Sequence, residues 1–146
     1  DVDFHENDII FGKGSKFIEG SDITIAVIGS QLKNAMFAAK ELKSQGISVE
    51  VLYFHTFKPF DLKLVEDSVK KTKNIISVEE LSSQDGLFNK CLRATMNIDG
   101  VSYKQMAVEE FIHGYGTYEE LCSKAGLSAK DIILNATVLF KKNKGS

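Results

Sequence analysis

Residues Ile23 to Phe54 read ITIAVIGSQLKNAMFAAKELKSQGISVEVLYF, and their order decides the fold class. Ile23-Thr24-Ile25-Ala26-Val27-Ile28 is almost continuously apolar and rich in β-branched residues, as a strand covered on both faces must be. Gly29-Ser30 then turns the chain into a segment where Ala35, Ala38, Ala39 and Leu42 recur at i, i+3, i+4 and i+7, the spacing of one buried helical stripe. Gly46 is placed to end that helix in the left-handed conformation, and Val49 to Phe54 forms a second strand. Ser30 reads as the N-cap of the intervening helix.

The alternation continues on both sides of this stretch. Asp61 can cap a helix whose buried stripe is Leu62, Val65 and Val69. Ile75 to Val78 is a third core strand, Gly86 to Met96 a helix, and Tyr103 to Val108 another strand. Thr117 with Glu120 forms a possible capping box for a helix burying Tyr118, Leu121, Cys122 and Ala125, stopped by Gly126. Ser128 with Asp131 opens a last helix burying Ala129, Ile132, Ile133 and Ala136. Upstream, Ile9 to Phe11 is expected as a short edge strand. Strands alternating with amphipathic helices give an α/β fold, a three-layer α/β/α domain with a mostly parallel sheet.

At 146 residues the chain suits one domain with a real core. Residues 1–8 read as a linker and 141–146 as a polar tail, and the opening Asp1-Val2-Asp3-Phe4 is what an excised domain would show. Its 43% hydrophobic and 26% charged content is ordinary for a soluble protein. A formal charge of −2 offers no attraction to nucleic acid or an anionic membrane. No apolar run approaches the ~20 residues of a membrane span. Cys91 and Cys122 fall among apolar residues and read as buried reduced thiols, with a disulfide or a reactive thiol as the alternatives. Reduced thiols suit a cytoplasmic protein.

Several motifs fail. Gly12-Lys13-Gly14-Ser15 lacks the first glycine and the Lys-Ser/Thr pair of a phosphate loop. Ile28-Gly29-Ser30-Gln31-Leu32 lacks both outer glycines of a nucleophile elbow, although its turn is weakly compatible with an anion on a helix N-terminus. His5, His55 and His113 have no metal-ligand spacing with the cysteines. His55 reads as a partly buried polar residue ending the second strand, or as a contact at a domain interface.

Three separated segments resemble the last domain of transketolase-type enzymes, especially bacterial transketolases split into two polypeptides. They are Phe54-His55-Thr56-Phe57-Lys58-Pro59-Phe60-Asp61; Ile75-Ile76-Ser77-Val78-Glu79-Glu80 followed by Gly86-Leu87; and Phe111 through Leu127 with His113-Gly114, Glu120-Leu121 and Gly126-Leu127. The third also resembles deoxyxylulose-phosphate synthases. Two departures stand out: Leu81 where that family usually has His, and Asp85-Gly86-Leu87-Phe88 where it has Gly-Gly-Leu-Gly.

The resemblance implies a sheet of about five strands with one antiparallel edge. It implies a C-terminal assembly domain of a dimeric thiamine-diphosphate and Mg2+ enzyme that transfers two-carbon ketol units between sugar phosphates. It also implies that the cofactor machinery lies in other domains or another subunit. A 2-oxoacid dehydrogenase E1 beta subunit is a close relative reading. No catalytic, cofactor or metal residue is assigned to this chain; His55, Glu79, Glu80 and His113 are the interface candidates. Glu79 and Glu80 are expected to emerge at the carboxyl end of a parallel strand, as interface carboxylates or as solvated or helix-capping ones. Two readings of another class remain: a non-catalytic interaction module from a degenerate enzyme, and a Rossmann-like nucleotide-binding domain.

Overall fold

In β2 (Ile23–Ile28) all residues but Ile28 are buried, because helices cover both sides of it. The structure, a computed structural model, describes residues 9–80, 85–108 and 114–145. A 3-10 turn (Gly29–Gln31) leads from β2 into α1 (Leu32–Ser44), which buries Ala35, Ala38, Ala39 and Leu42 as the spacing requires. Gly46 beyond it takes φ +82°. β3 (Val49–Phe54), α2 (Leu62–Thr72), β4 (Asn74–Glu79), α3 (Leu87–Thr95) and β5 (Ser102–Ala107) follow, then α4 (Tyr118–Ala125) and α5 (Ala129–Lys144).

With β1 (Ser15–Ile18) these strands form a five-stranded sheet of order β1-β3-β2-β4-β5. Only β1 runs antiparallel, on the outer edge of β3. Helices α1 and α5 pack on one face around Ile25, Val27, Ile76 and Val78. Helices α2 and α3 cover the other, around Ala26, Leu52, Phe54 and Ile75. Val27 and Ile76 are fully buried in adjacent parallel strands, as their positions mid-run require.

The antiparallel edge strand is not at Ile9–Phe11. There a Lys13 N–H to Ile10 carbonyl hydrogen bond turns the chain, and the pairing begins at Ser15 against Tyr53. An edge strand of four residues needs one partner and one covered face, so its pattern is short and weak.

Leu62 is 36% exposed rather than buried, since the stripe of α2 runs through Val65, Ser68, Val69 and Thr72. Ser68 and Thr72 enter the core because Thr24 of β2 bonds both hydroxyls, at 2.6 and 2.8 Å. Asp61 caps α2 through the Leu64 N–H at 3.2 Å. Both capping boxes form, on Thr117 and on Ser128. In α4 only Cys122 is buried and Tyr118 is 45% exposed; in α5, Ala129 and Ile133 are half-buried while Leu139 joins Ile132 and Ala136 inside.

Candidate functional site

In an open parallel sheet, ligands collect at the carboxyl ends of the strands where the strand order reverses. Here that point lies between β2 and β4, since the chain passes from β2 to β3 on one side and then returns to β4 on the other. The residues leaving these two strands are Gly29-Ser30-Gln31 and Glu80, and they meet. Ser30 does not cap α1: its hydroxyl donates to Glu80 Oε1. The Tyr118 hydroxyl, brought in by α4, donates to the same oxygen at 2.6 Å and lies 3.0 Å from Ser30 Oγ. The side-chain amide of Gln31, wholly buried, donates to Tyr118 Oη at 3.0 Å and approaches Cys122 Sγ at 3.5 Å. Asn34 in turn donates to Gln31 Oε1 at 3.3 Å.

Partial burial pushes the Glu80 carboxyl up, but hydrogen bonds from Ser30, Tyr118 and Gln31 outweigh it and hold the group below the usual carboxylate range. Burial, then the Glu80 carboxylate it donates to, pushes the Tyr118 phenol well up. A carboxylate and a neutral phenol are therefore the working forms at neutral pH. In a nucleotide-binding domain this turn would meet a phosphate; here its Ser30 hydroxyl donates to the chain's own carboxylate.

Glu79 behaves differently from its neighbour. Of the readings open to it, interface, solvated or helix-capping, it takes the last: it is 3% exposed, because alternation along β4 turns it inward beneath α3. Its Oε2 accepts the Leu87 N–H at 2.8 Å, serving the first amide of a helix whose cap residue, Gly86, has no side chain. Its Oε1 is buried with no hydrogen-bond partner among the described residues. Burial pushes the Glu79 carboxyl up, against the opposing pull of the Leu87 and Phe88 amides and Gln105.

A carboxyl with a raised folded pKa loses stability as pH climbs from its unfolded value, near 4.5, through the folded one. The stability of the wild type relative to Glu79→Gln should accordingly decline over that window. Urea melts from pH 4 upward read this directly, and a difference that stays flat would mean the carboxyl is not buried as described.

His55 follows β3 directly, half-buried, with Nε2 3.3 Å from the Ile10 carbonyl oxygen and the ring 6.0 Å from Tyr53. His113, like His5 and Leu81, lies outside the described residues. Cys91 and Cys122 are free and buried; burial and then the Glu79 charge push the Cys91 thiol far up, so it stays protonated and unreactive.

Thiamine diphosphate does not fit the described residues. The switch point presents the Glu80 carboxylate, of the wrong charge for a diphosphate, and among the described residues no group of three or more His, Cys, Asp or Glu could hold a metal ion. No helix among them is long and apolar enough to cross a membrane.

A family model described as Transketolase, C-terminal domain, matches residues 12–132. The 6-deoxy-6-sulfo-D-fructose transketolase subunit SqwH of Clostridium sp. (strain MSTE9) is 34% identical over 143 residues, which is 97% of this chain and 44% of that protein. The 1-deoxy-D-xylulose-5-phosphate synthase of Desulfotalea psychrophila is 31% identical over 90% of this chain and 21% of its own. A solved split-gene transketolase, described as an inactive beta4 tetramer, superposes with a TM-score of 0.82 at 28% identity, over 94% of this chain and 46% of that one. The chain thus spans less than half the length of each of these relatives.

Proposed function

The chain belongs to the transketolase C-terminal domain family, and from that premise we propose that it is the assembly domain of a thiamine-diphosphate-dependent, dimeric enzyme. That enzyme transfers two-carbon ketol units between sugar phosphates. In this reading thiamine diphosphate and Mg2+ are held by other domains or by another subunit, and the domain alone is inactive.

One observation carries the reading: at the switch point the exposed Glu80 carboxylate is held by the hydroxyls of Ser30 and Tyr118, with the buried Gln31 amide bonded to Tyr118 behind them. A nucleotide-binding domain keeps this position free for an anion, whereas a carboxylate fixed here repels one and leaves an ordered, exposed polar surface for another protein body. The same observation counts against the nucleotide-binding reading. Glu80, on the rim, is the residue proposed to face the cofactor-binding domains; Glu79 belongs to the domain's own structure.

In the complete enzyme, Glu80→Gln and Tyr118→Phe should each weaken assembly or lower turnover by at least about tenfold, equivalent to roughly 1.4 kcal/mol. Analytical ultracentrifugation beside a ketol-transfer assay reads both. Variants that assemble and turn over within twofold of wild type would sink the role given to Glu80. A well-assembled wild type that binds cofactor and transfers no ketol unit would favour the degenerate module instead.

A further inference from the structure

Residues 9–14 stand outside the sheet but are tied to it. The main-chain N–H of Gly12 donates to Thr56 Oγ1 at 3.4 Å, that of Gly14 donates to Asp61 Oδ2 at 3.1 Å, and His55 Nε2 reaches the Ile10 carbonyl oxygen. The fit depends on both glycines. Gly12 has φ +77°, and a Cβ there would stand 2.8 Å from Pro59 Cγ. A Cβ on Gly14 would stand 2.6 Å from the Phe54 ring. Gly12-Lys13-Gly14-Ser15, which fails as a phosphate loop, is instead a clasp pressed onto the connection between β3 and α2.

The clasp presents three large apolar residues in succession to water: Ile9, Ile10 and Phe11 are 52, 62 and 78% exposed. They stand at the carboxyl end of the sheet, the end that also carries Glu80 and Tyr118. Among the described residues none covers them, and exposed apolar residues held together mark a contact surface. Lys13, exposed, follows them in the clasp, and the exposed Lys58 precedes Pro59, whose ring lies against Gly12.

We infer that Ile9, Ile10 and Phe11 form a docking ridge for the remaining domains of the transketolase-type enzyme, an inference that rests on the function proposed above. The occupant follows from size, position and charge. More than half of the SqwH subunit and of the split-gene transketolase chain lies beyond the length matched here, so a second body of at least equal size is at hand in such proteins. The two lysines ask for an apolar surface with an acidic rim.

The test is thiol labelling in the full-length protein, assembled with any separate subunit it requires. Phe11→Cys and Met96→Cys are compared against the unmodified protein as background. Cys91 and Cys122 contribute little, being buried, and Met96 is 73% exposed at the opposite end of the sheet. The Phe11→Cys thiol is expected to react with a maleimide at least tenfold more slowly than the Met96→Cys thiol. Equal rates in an enzyme that binds thiamine diphosphate and transfers ketol units would overturn the ridge and leave the proposed function standing. Slow labelling in a protein that binds no thiamine diphosphate would sustain the ridge as a domain contact and sink the proposed function. Protection that vanishes on dilution, in step with dissociation into single copies, would give the ridge to a second copy of this chain and overturn the assignment.

Discussion

Gly20→Ala is expected to destabilise the domain by about 3 kcal/mol or more, at the upper end of overpacking effects. Gly20 lies between β1 and β2, where the chain crosses the start of β3 at backbone contact. A Cβ there would stand 2.1 Å from the Val49 carbonyl carbon and 2.4 Å from the Glu50 nitrogen. Both are main-chain atoms, so no rotamer change relieves the clash; either β1 leaves its edge or β3 shifts in register. The Gly20 N–H also donates to the buried Glu50 carboxylate at 3.4 Å, so movement there disturbs an ion pair with Lys71 at 2.7 Å. Gly46→Ala is the comparison, since nothing lies within 4 Å of its Cβ position and only its positive φ resists substitution. Equal melting shifts for the two variants would show that the close approach at Gly20 does not exist in solution.

Ile76→Ala is expected to cost about 2–4 kcal/mol. Ile76 is fully buried in β4, opposite Ile25 of β2 and Lys104 of β5, within the core formed with α1 and α5. Core shared between a central strand and two helices collapses poorly around a lost side chain, so most of the cavity should persist. A urea midpoint that barely moves would mean that Ile76 is not in the sheet's covered centre.

Much of this architecture is legible because its signals are local. β2 and β3 coincide residue for residue with the apolar runs Ile23–Ile28 and Val49–Phe54, and the caps on Asp61, Thr117 and Ser128 form where their side chains predict. What the sequence hides is long-range. Glu50 sits mid-strand yet is buried, because its partners Lys71 and Lys16 come from α2 and the edge strand. Ser30 reads as an N-cap because no local pattern reports Glu80 and Tyr118, 50 and 88 positions away. Glu79 and Glu80 look alike in a row, and only the pleat of β4 sends one inward to α3 and the other to the switch point. Gly20 resembles any other glycine until the chain it touches is in place.

The candidate site was less legible than the fold for the same reason. The apolar run of β4 points to Glu79 and Glu80 at its carboxyl end, but Gln31 and Tyr118, which hold Glu80 in place, carry no motif. A glutamine directly after a Gly-Ser turn, with a tyrosine opening a weakly apolar helix, is the faint signal that the sequence holds.

In the proposed function this domain serves an enzyme whose cofactor is held elsewhere. Isothermal titration with thiamine diphosphate and Mg2+ tests it most directly, on the domain alone and on the complete enzyme in parallel. Saturable binding to the complete enzyme and no measurable heat with the domain are expected. Micromolar binding to the domain alone, or none to the complete enzyme, would contradict it.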